Sequence, residues 1–440
     1  MDTEVAVTGG DSMKKMSKIK TAGMILYIFI AIFQPPILPC DLIYISLIVT
    51  LFLIVVDSDF KLDLRILRES RLLVMIKVIF TMLVYVITID LIDMLFIDHT
   101  DMLSNRLRII NQLVILTGEE LLAVYYLLTR IEKNSIDRYS FFSLIIGAGT
   151  VQGGLSVLAY LVPSIRTFFL RYSGSLFENA WILERRGYGY SAILVDTFGY
   201  GMALIAGTSL LISKNNHFRS ICSIMLMGFC ILVNARTGIV VFLLAIMLYI
   251  LKTNSVVKAI IKIVFAGASV VFIYHFILPT VLLWGIRSPN STIKWITSDF
   301  YDMYYRTESS ARIADSYFIS NVVKLPENIF ELCFGSGHSV YGTKSILGFA
   351  TDIGYINLVW AYGILGTSFF LISMYSIMYN TYKSCKTNDM KLITLFNLIA
   401  YFLVLVKGIL LGYNPGTMTM YLMIFSINYY NRKERLYVQD

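Results

Sequence analysis

Histidine and cysteine are scarce in this 440-residue chain, with four of the first and five of the second. Cys40, Cys222, Cys230, Cys333 and Cys385 are scattered, odd in number and without a CxxC pair. That argues against a disulfide framework and against a zinc site, and so few histidines leave little for any other metal centre. No P-loop, Rossmann glycine set, DxD pair or nucleophile elbow stands in a suitable context, so the sequence offers nothing to nucleotide-dependent chemistry. There is no internal repeat and no low-complexity segment. Acidic residues are outnumbered, 29 against 37 Lys and Arg, yet no face combines basic and aromatic residues as RNA binders do, and nucleic acid is not an expected partner.

What the chain has is apolar sequence. It is 57% hydrophobic with a mean hydropathy of +0.70, well above soluble domains. Several runs reach roughly 18–25 residues, enough to cross a hydrocarbon core about 30 Å thick. Candidate spans fall at 22–38, 41–56, 72–97, 107–128, 141–162, 191–212, 218–233, 238–251, 263–283, 353–379, 392–411 and 416–430. The expected fold is therefore an all-α polytopic integral membrane protein with about twelve transmembrane helices. Lys14, Lys15, Lys18 and Lys20 precede the first run; no small-residue cleavage site follows before Pro35 and Pro36, which points to a retained first helix.

An even number of spans puts both termini on one side. With the N-terminus in the cytoplasm, every short cytoplasmic loop carries at least two basic residues, so N-in and C-in is the expected orientation. The chain then divides into a cytoplasmic tail, 1–21, and spans one to nine over 22–283, broken by an outer loop at 163–190. A large outer loop, 284–352, precedes spans ten to twelve over 353–430 and a tail at 431–440. Long loops cross membranes largely regardless of charge, so the basic residues in the two outer loops do not upset this orientation.

Several residues could carry chemistry, each beside a plainer reading. Asp352 sits where the tenth span begins, either as a capping carboxylate favoured by the helix dipole or as a general base at a cavity edge. His338 lies on the Gly-rich turn FGSGHSVYG and reads most simply as a loop histidine. Arg236, in NARTGIVV, has almost no loop to occupy and either snorkels to the interface or grips an anion with its planar fork. Arg312 opens a helically spaced piece containing Ile313, Tyr317 and Ser320. Asp90, Asp93, Asp196 and Lys407 lie within or at the ends of spans and fit structural ion pairs as well as catalytic roles. Glu119 and Glu120 stand mid-span and are the best argument for a transporter. Gly149 and Gly153 have the GxxxG spacing of close helix packing. Tyr429 and Tyr430 fit an aromatic belt, while Tyr301, Tyr304 and Tyr305 could stack on sugars or simply pack.

Three outer segments, ARTG at 235–238, SSARIADSYFISN at 309–321 and FGSGHS at 334–339 leading into TDIGYINLVWAYGILG at 351–366, resemble Wzy-type O-antigen polymerases and the related O-antigen ligases. The match spans the second half of the chain. The resemblance implies a GT-C-like fold whose large periplasmic loop contains short helices, and a metal-independent glycosyltransferase without cofactor. Its substrates would be undecaprenyl-diphosphate-linked oligosaccharides at the inner membrane, and a chain-length regulator protein is a candidate partner. Arg236 matches the family arginine after the seventh span, and Arg312 that of the amphipathic outer helix. The ligases carry a histidine eleven residues before a tenth-span glycine; counting back from Gly363 reaches Asp352, which favours polymerase over ligase. The catalytic candidates are thus Asp352, Arg236 and Arg312. The substrate-binding candidates are His338, Arg306 and Tyr355, with Arg171 and Arg186 from the first outer loop, which fall outside the motifs. The competing readings are a lipid-linked oligosaccharide flippase or other transporter, and the ligase.

Overall fold

The computed structural model describes residues 18–35, 42–58, 62–96, 109–171, 188–191, 196–212, 217–234, 237–253, 258, 261, 278–289, 293–294, 297–298, 324–337, 351, 353–406 and 414–436. Every regular element among them is helical: α1 (Lys18–Phe33), α2 (Leu42–Ser58), α3 (Leu64–Glu69), α4 (Leu72–Phe96), a π-turn (Gln112–Leu116) running into α5 (Thr117–Lys133), α6 (Arg138–Leu161), α7 (Pro163–Leu170), α8 (Asp196–Ile212), α9 (His217–Asn234), α10 (Thr237–Thr253), α11 (Leu278–Ile286), α12 (Ile329–Phe334), α13 (Gly354–Ser384), α14 (Asn388–Val404) and α15 (Pro415–Leu436). Four stretches are long and apolar enough to cross a membrane: Leu72–Ile92, Ile109–Lys133, Arg138–Leu161 and Gly354–Ser384. Shorter apolar helices lie at Ser46–Val56, Thr197–Ile212, Ser220–Asn234 and Thr237–Thr253. The chain is a helical membrane protein.

Helix ends follow local chemistry. Asp63, Asp137, Asn328 and Asn414 each accept a backbone N–H from the first turn of the helix they precede, at 2.9–3.0 Å. Pro163 follows α6 and opens α7, so part of the loop expected at 163–190 is itself a short helix. α1 stops at Phe33, short of the apolar run, because Gln34 turns left-handed (φ 40°) ahead of Pro35.

Two helices form the centre. α15 is buried along residues 415–431 and α8 along nearly all of 197–211. They cross at backbone contact: a Cβ on Gly201 would lie 2.7 Å from the Pro415 carbonyl oxygen, and one on Gly416 would lie 2.3 Å from a Tyr200 ring carbon. α6 approaches them by the same device, with Gly149 against Ile205 of α8 and Gly153 against the Leu226 backbone of α9. The GxxxG spacing is therefore used for packing. The belt reading of Tyr429 and Tyr430 is corrected: both are buried on α15, and the Tyr430 hydroxyl donates to the Ile136 carbonyl at 2.9 Å. A central helix has no lipid-facing side on which an aromatic belt could stand.

One end of the bundle is laced by ion pairs. Arg65 joins Glu132, Arg138 joins Glu434, and Lys252 meets Asp389 at 2.8 Å. These tie the segment after α2 to the end of α5, the start of α6 to the end of α15, and α10 to α14. The Glu132 carboxylate beside it lifts the Arg65 guanidinium above its ordinary range, while burial pushes the Glu69 carboxyl up.

Candidate functional site

The end opposite the ion pairs holds the chain around the sequence candidates, in two clusters. The first is the start of α13. Thr351 is buried, and its Oγ1 accepts the Ile353 N–H at 3.1 Å. The Asn357 amide donates to the carbonyls of Thr351 at 3.0 Å and Ile353 at 3.1 Å. The residues on either side of position 352 are thus gripped from within α13. Asp352 itself lies outside the described residues.

α13 is broken at Gly363, whose φ of 66° and ψ of 178° leave the helical region. Gly335, at φ 91°, faces it from the end of α12. A Cβ on Gly363 would stand 2.3 Å from the Cys333 carbonyl oxygen, and one on Gly335 would stand 2.7 Å from the Gly363 nitrogen. Only glycine combines these backbone angles with so close an approach. At the break, two α13 carbonyls, those of Trp360 and Tyr362, take donors from outside the helix. Trp360 O accepts both the Ser336 N–H at 2.9 Å and its hydroxyl at 3.0 Å. The Tyr85 hydroxyl of α4 lies 2.9 Å from Phe334 O and 3.0 Å from Tyr362 O. The Trp360 indole donates to Lys324 O at 2.8 Å, pinning the segment before α12. Partners of this kind for freed backbone groups make a break in an apolar helix tolerable.

Tyr355 belongs to this cluster. Its hydroxyl donates to Phe402 O at 2.8 Å and its N–H to Leu405 O at 3.2 Å, so it fastens α13 to the end of α14. His338, Arg306 and Arg312 lie outside the described residues.

The second cluster surrounds Asn234, the last residue of α9. Asn234 is buried; its Oδ1 accepts the Tyr188 N–H at 2.9 Å, and its amide donates to the carbonyls of Tyr188 and Cys230. Ser156 of α6 donates to Tyr188 O at 2.9 Å. The Arg166 guanidinium of α7 lies 4.4 Å from the Tyr188 ring centre, a cation–π contact. Burial lowers the Arg166 guanidinium from its ordinary value, and nearby Tyr188 works in the opposite direction. Phe169 stacks on Tyr190 at 4.5 Å, and the Ser191 hydroxyl donates to Phe33 O at 2.7 Å. Arg171 caps the C-terminus of α7 and is exposed. Arg236, two residues past Asn234, and Arg186, two before Tyr188, lie outside the described residues.

Asn234, Asn357, Tyr85 and Arg166 shape these clusters without having been singled out as site residues. Asn234 and Asn357 carry a legible signal, a carboxamide at a span end inside a motif, since a buried amide at a chain reversal satisfies backbone groups on two segments. Tyr85 carries none; its partners lie far along the chain. No group of His, Cys, Asp and Glu among the described residues is arranged to hold a metal ion. A hollow of 460 Å³ opens at the ion-paired end among Lys20, Met24, Tyr27, Leu53, Tyr126 and Arg130, away from both clusters. Compared with known proteins, the chain matches no protein-family model, and no curated protein is significantly similar to it.

Proposed function

We propose that this chain is a polymerase of O-antigen or a related surface polysaccharide, a GT-C-like enzyme of about twelve spans in the bacterial inner membrane with both termini in the cytoplasm. The observation that supports it best is the welding of two motif segments through Gly335 and Gly363, which joins the Gly-rich outer turn to the helix that Asp352 precedes.

The reaction moves a growing glycan from undecaprenyl diphosphate to a new lipid-linked repeat unit. An acceptor hydroxyl attacks the anomeric carbon of the donor, the bond from that carbon to the diphosphate oxygen breaks, and the lipid diphosphate departs with the electron pair. Asp352 takes the hydroxyl proton. Arg236 and Arg312 neutralise the charge gathering on the leaving group, so the step needs no metal. His338, Arg306, Arg171, Arg186 and Tyr355 line the path of the lipid-linked sugars; Tyr355 does so through its position, because its hydroxyl is engaged by α14.

The test is a lipopolysaccharide gel from cells lacking the protein and cells carrying Asp352→Ala, Arg236→Ala or Arg312→Ala. The expected pattern is a single repeat unit on the lipid A core in place of a ladder, with each variant still inserted in the membrane. Normal ladders from all three variants would remove the site assignment. A second reading, a lipid-linked oligosaccharide flippase, is favoured by the burial of Glu119 and Glu120; loss would then abolish surface sugar altogether. For the ligase, long and short chains would stay on the undecaprenyl carrier.

A further inference from the structure

We infer that the hollow between α1, α2 and α5 at the ion-paired end is a binding site for one anionic phospholipid, its phosphate held by Lys20 and Arg130 and an acyl chain running inward along α1. The lining falls into two parts. Lys20, Arg130 and Asn134 are polar, whereas Met24, Ile30, Leu53 and Leu127 are apolar. The helices set their order. Lys20 lies in the first turn of α1 and Arg130 in the last turn of α5, so the cations share one rim. From Lys20 to Ile30 the hollow follows α1 for about 15 Å at 1.5 Å per residue. That is one leaflet's share of a hydrocarbon core roughly 30 Å thick. Its 460 Å³ falls within the roughly 300–1,000 Å³ of ligand pockets.

The walls are fixed by contacts between the three helices. Tyr27 of α1 and Tyr126 of α5 both line the hollow and meet edge-on, with ring centres 4.9 Å apart. The Tyr27 hydroxyl and Thr50 Oγ1 of α2 lie 3.0 Å apart. Arg130 Nε donates to the Tyr126 hydroxyl at 2.8 Å, which sets the guanidinium at the rim. The Asn134 amide donates to the Arg130 carbonyl at 2.9 Å and steadies the same turn. Glu132 is two residues past Arg130 and so faces away from it, toward Arg65.

The way in is from the bilayer. Leu26, a lining residue, is 59% exposed, and Phe52, beside Leu53 on α2, is 64% exposed. Uncovered apolar side chains on the flank of a membrane bundle meet lipid tails. A ligand that enters there has an apolar body, and the two cations require a negatively charged head. Basic pockets between membrane helices take anionic headgroups, and a guanidinium fork matches phosphate oxygens. Lys20 also closes the lysine series Lys14, Lys15, Lys18 and Lys20 that precedes the first apolar run. Glycosyl transfer as proposed above uses none of these residues, and the inference holds equally if the chain is a flippase.

The experiment is native mass spectrometry of the full-length protein in detergent, titrated with phosphatidylglycerol or phosphatidylcholine of the same acyl chains. Two cations beside an anionic head predict one phosphatidylglycerol bound at least about tenfold more tightly than phosphatidylcholine. Lys20→Gln should weaken phosphatidylglycerol about fivefold and leave phosphatidylcholine unchanged. Gly23→Phe should abolish the preference by filling the hollow, because a Cβ on Gly23 meets nothing within 4 Å. Equal binding of the two lipids overturns the inference. So does a preference that survives intact in Gly23→Phe, which would place the lipid elsewhere on the basic surface. Displacement of phosphatidylglycerol by an equal concentration of glycerol 3-phosphate overturns it too, by making the ligand a soluble anion. If Gly23→Phe fails to fold, Lys20→Gln decides, since its side chain is exposed, and unchanged phosphatidylglycerol binding there contradicts the inference.

Discussion

α4 and α15 are both helices of this bundle, yet they are built in opposite ways. The window Leu72–Ile92 of α4 is only 28% buried and presents Phe80, Val84, Ile87 and Leu91 outward. α15 carries Thr417, Thr419, Ser426, Asn428 and Asn431, all buried, and its length from 415 to 431 is enclosed by protein. The difference teaches which solvent each helix meets. Lipid tails are as apolar as leucine, so an apolar surface gains little by leaving them for the protein interior. Polar side chains gain hydrogen bonds there: Asn428 donates to Thr381 Oγ1 at 2.8 Å and Asn431 to Ser384 Oγ at 3.3 Å.

The contrast can be broken by substitution. The largest effect is expected from Gly416→Leu, which drives a side chain into Tyr200 and Thr197. Overpacking of this kind costs about 1–3 kcal/mol or more; the α8–α15 crossing should open, and the monodisperse peak in detergent size-exclusion should be lost. Next comes Gly363→Ala. The positive-φ backbone alone costs about 1–3 kcal/mol for a non-glycine residue, and the Cys333 backbone must also withdraw. The variant should remain inserted but lose polymer formation, checked on the same preparation by folding and by ladder length. Asn428→Ala should lower the detergent melting midpoint modestly, by a loss near 0.6 and at most about 1.7 kcal/mol, and a cycle with Thr381→Ala should show coupling. The smallest change belongs to Phe80→Leu on the outward face of α4, within about 0.5 kcal/mol of the parent. If Phe80→Leu cost more than Asn428→Ala, the inside–outside assignment of the two helices would be reversed.

Much of the helical layout was legible, because length and hydropathy are what the bilayer selects. The runs at 72–97 and 141–162 coincide with α4 and α6, and those at 218–233 and 238–251 with α9 and α10. What hydropathy could not rank was centrality. The run at 416–430 looked like one span among many, with its tyrosines at a lipid interface, whereas α15 is the hub; its polar residues were the signal, intelligible once partners such as Thr381 and Ser384 are known. Gly363 was found as a counting mark in a motif, but its physical role needs the left-handed turn and the Cys333 backbone beneath it. Of the site candidates, Arg171 and Tyr355 have described positions, and Tyr355 is a fastener between helices. Glu119 and Glu120 were visible as costly mid-span charges; that the Ser46 hydroxyl and the Asn414 backbone each donate to one of them depends on contacts between segments far apart in the chain.

The central claim is that this bundle joins lipid-linked repeat units at the end opposite its ion pairs. The most direct measurement is incubation of the purified protein with a defined undecaprenyl-diphosphate-linked repeat unit, without nucleotide and in the presence of a chelator, with products resolved by mass. The account predicts a ladder spaced by one repeat, with release of undecaprenyl diphosphate, and no ladder from Asp352→Ala. Unchanged substrate from a folded wild-type protein, or an equal ladder from Asp352→Ala, would contradict it.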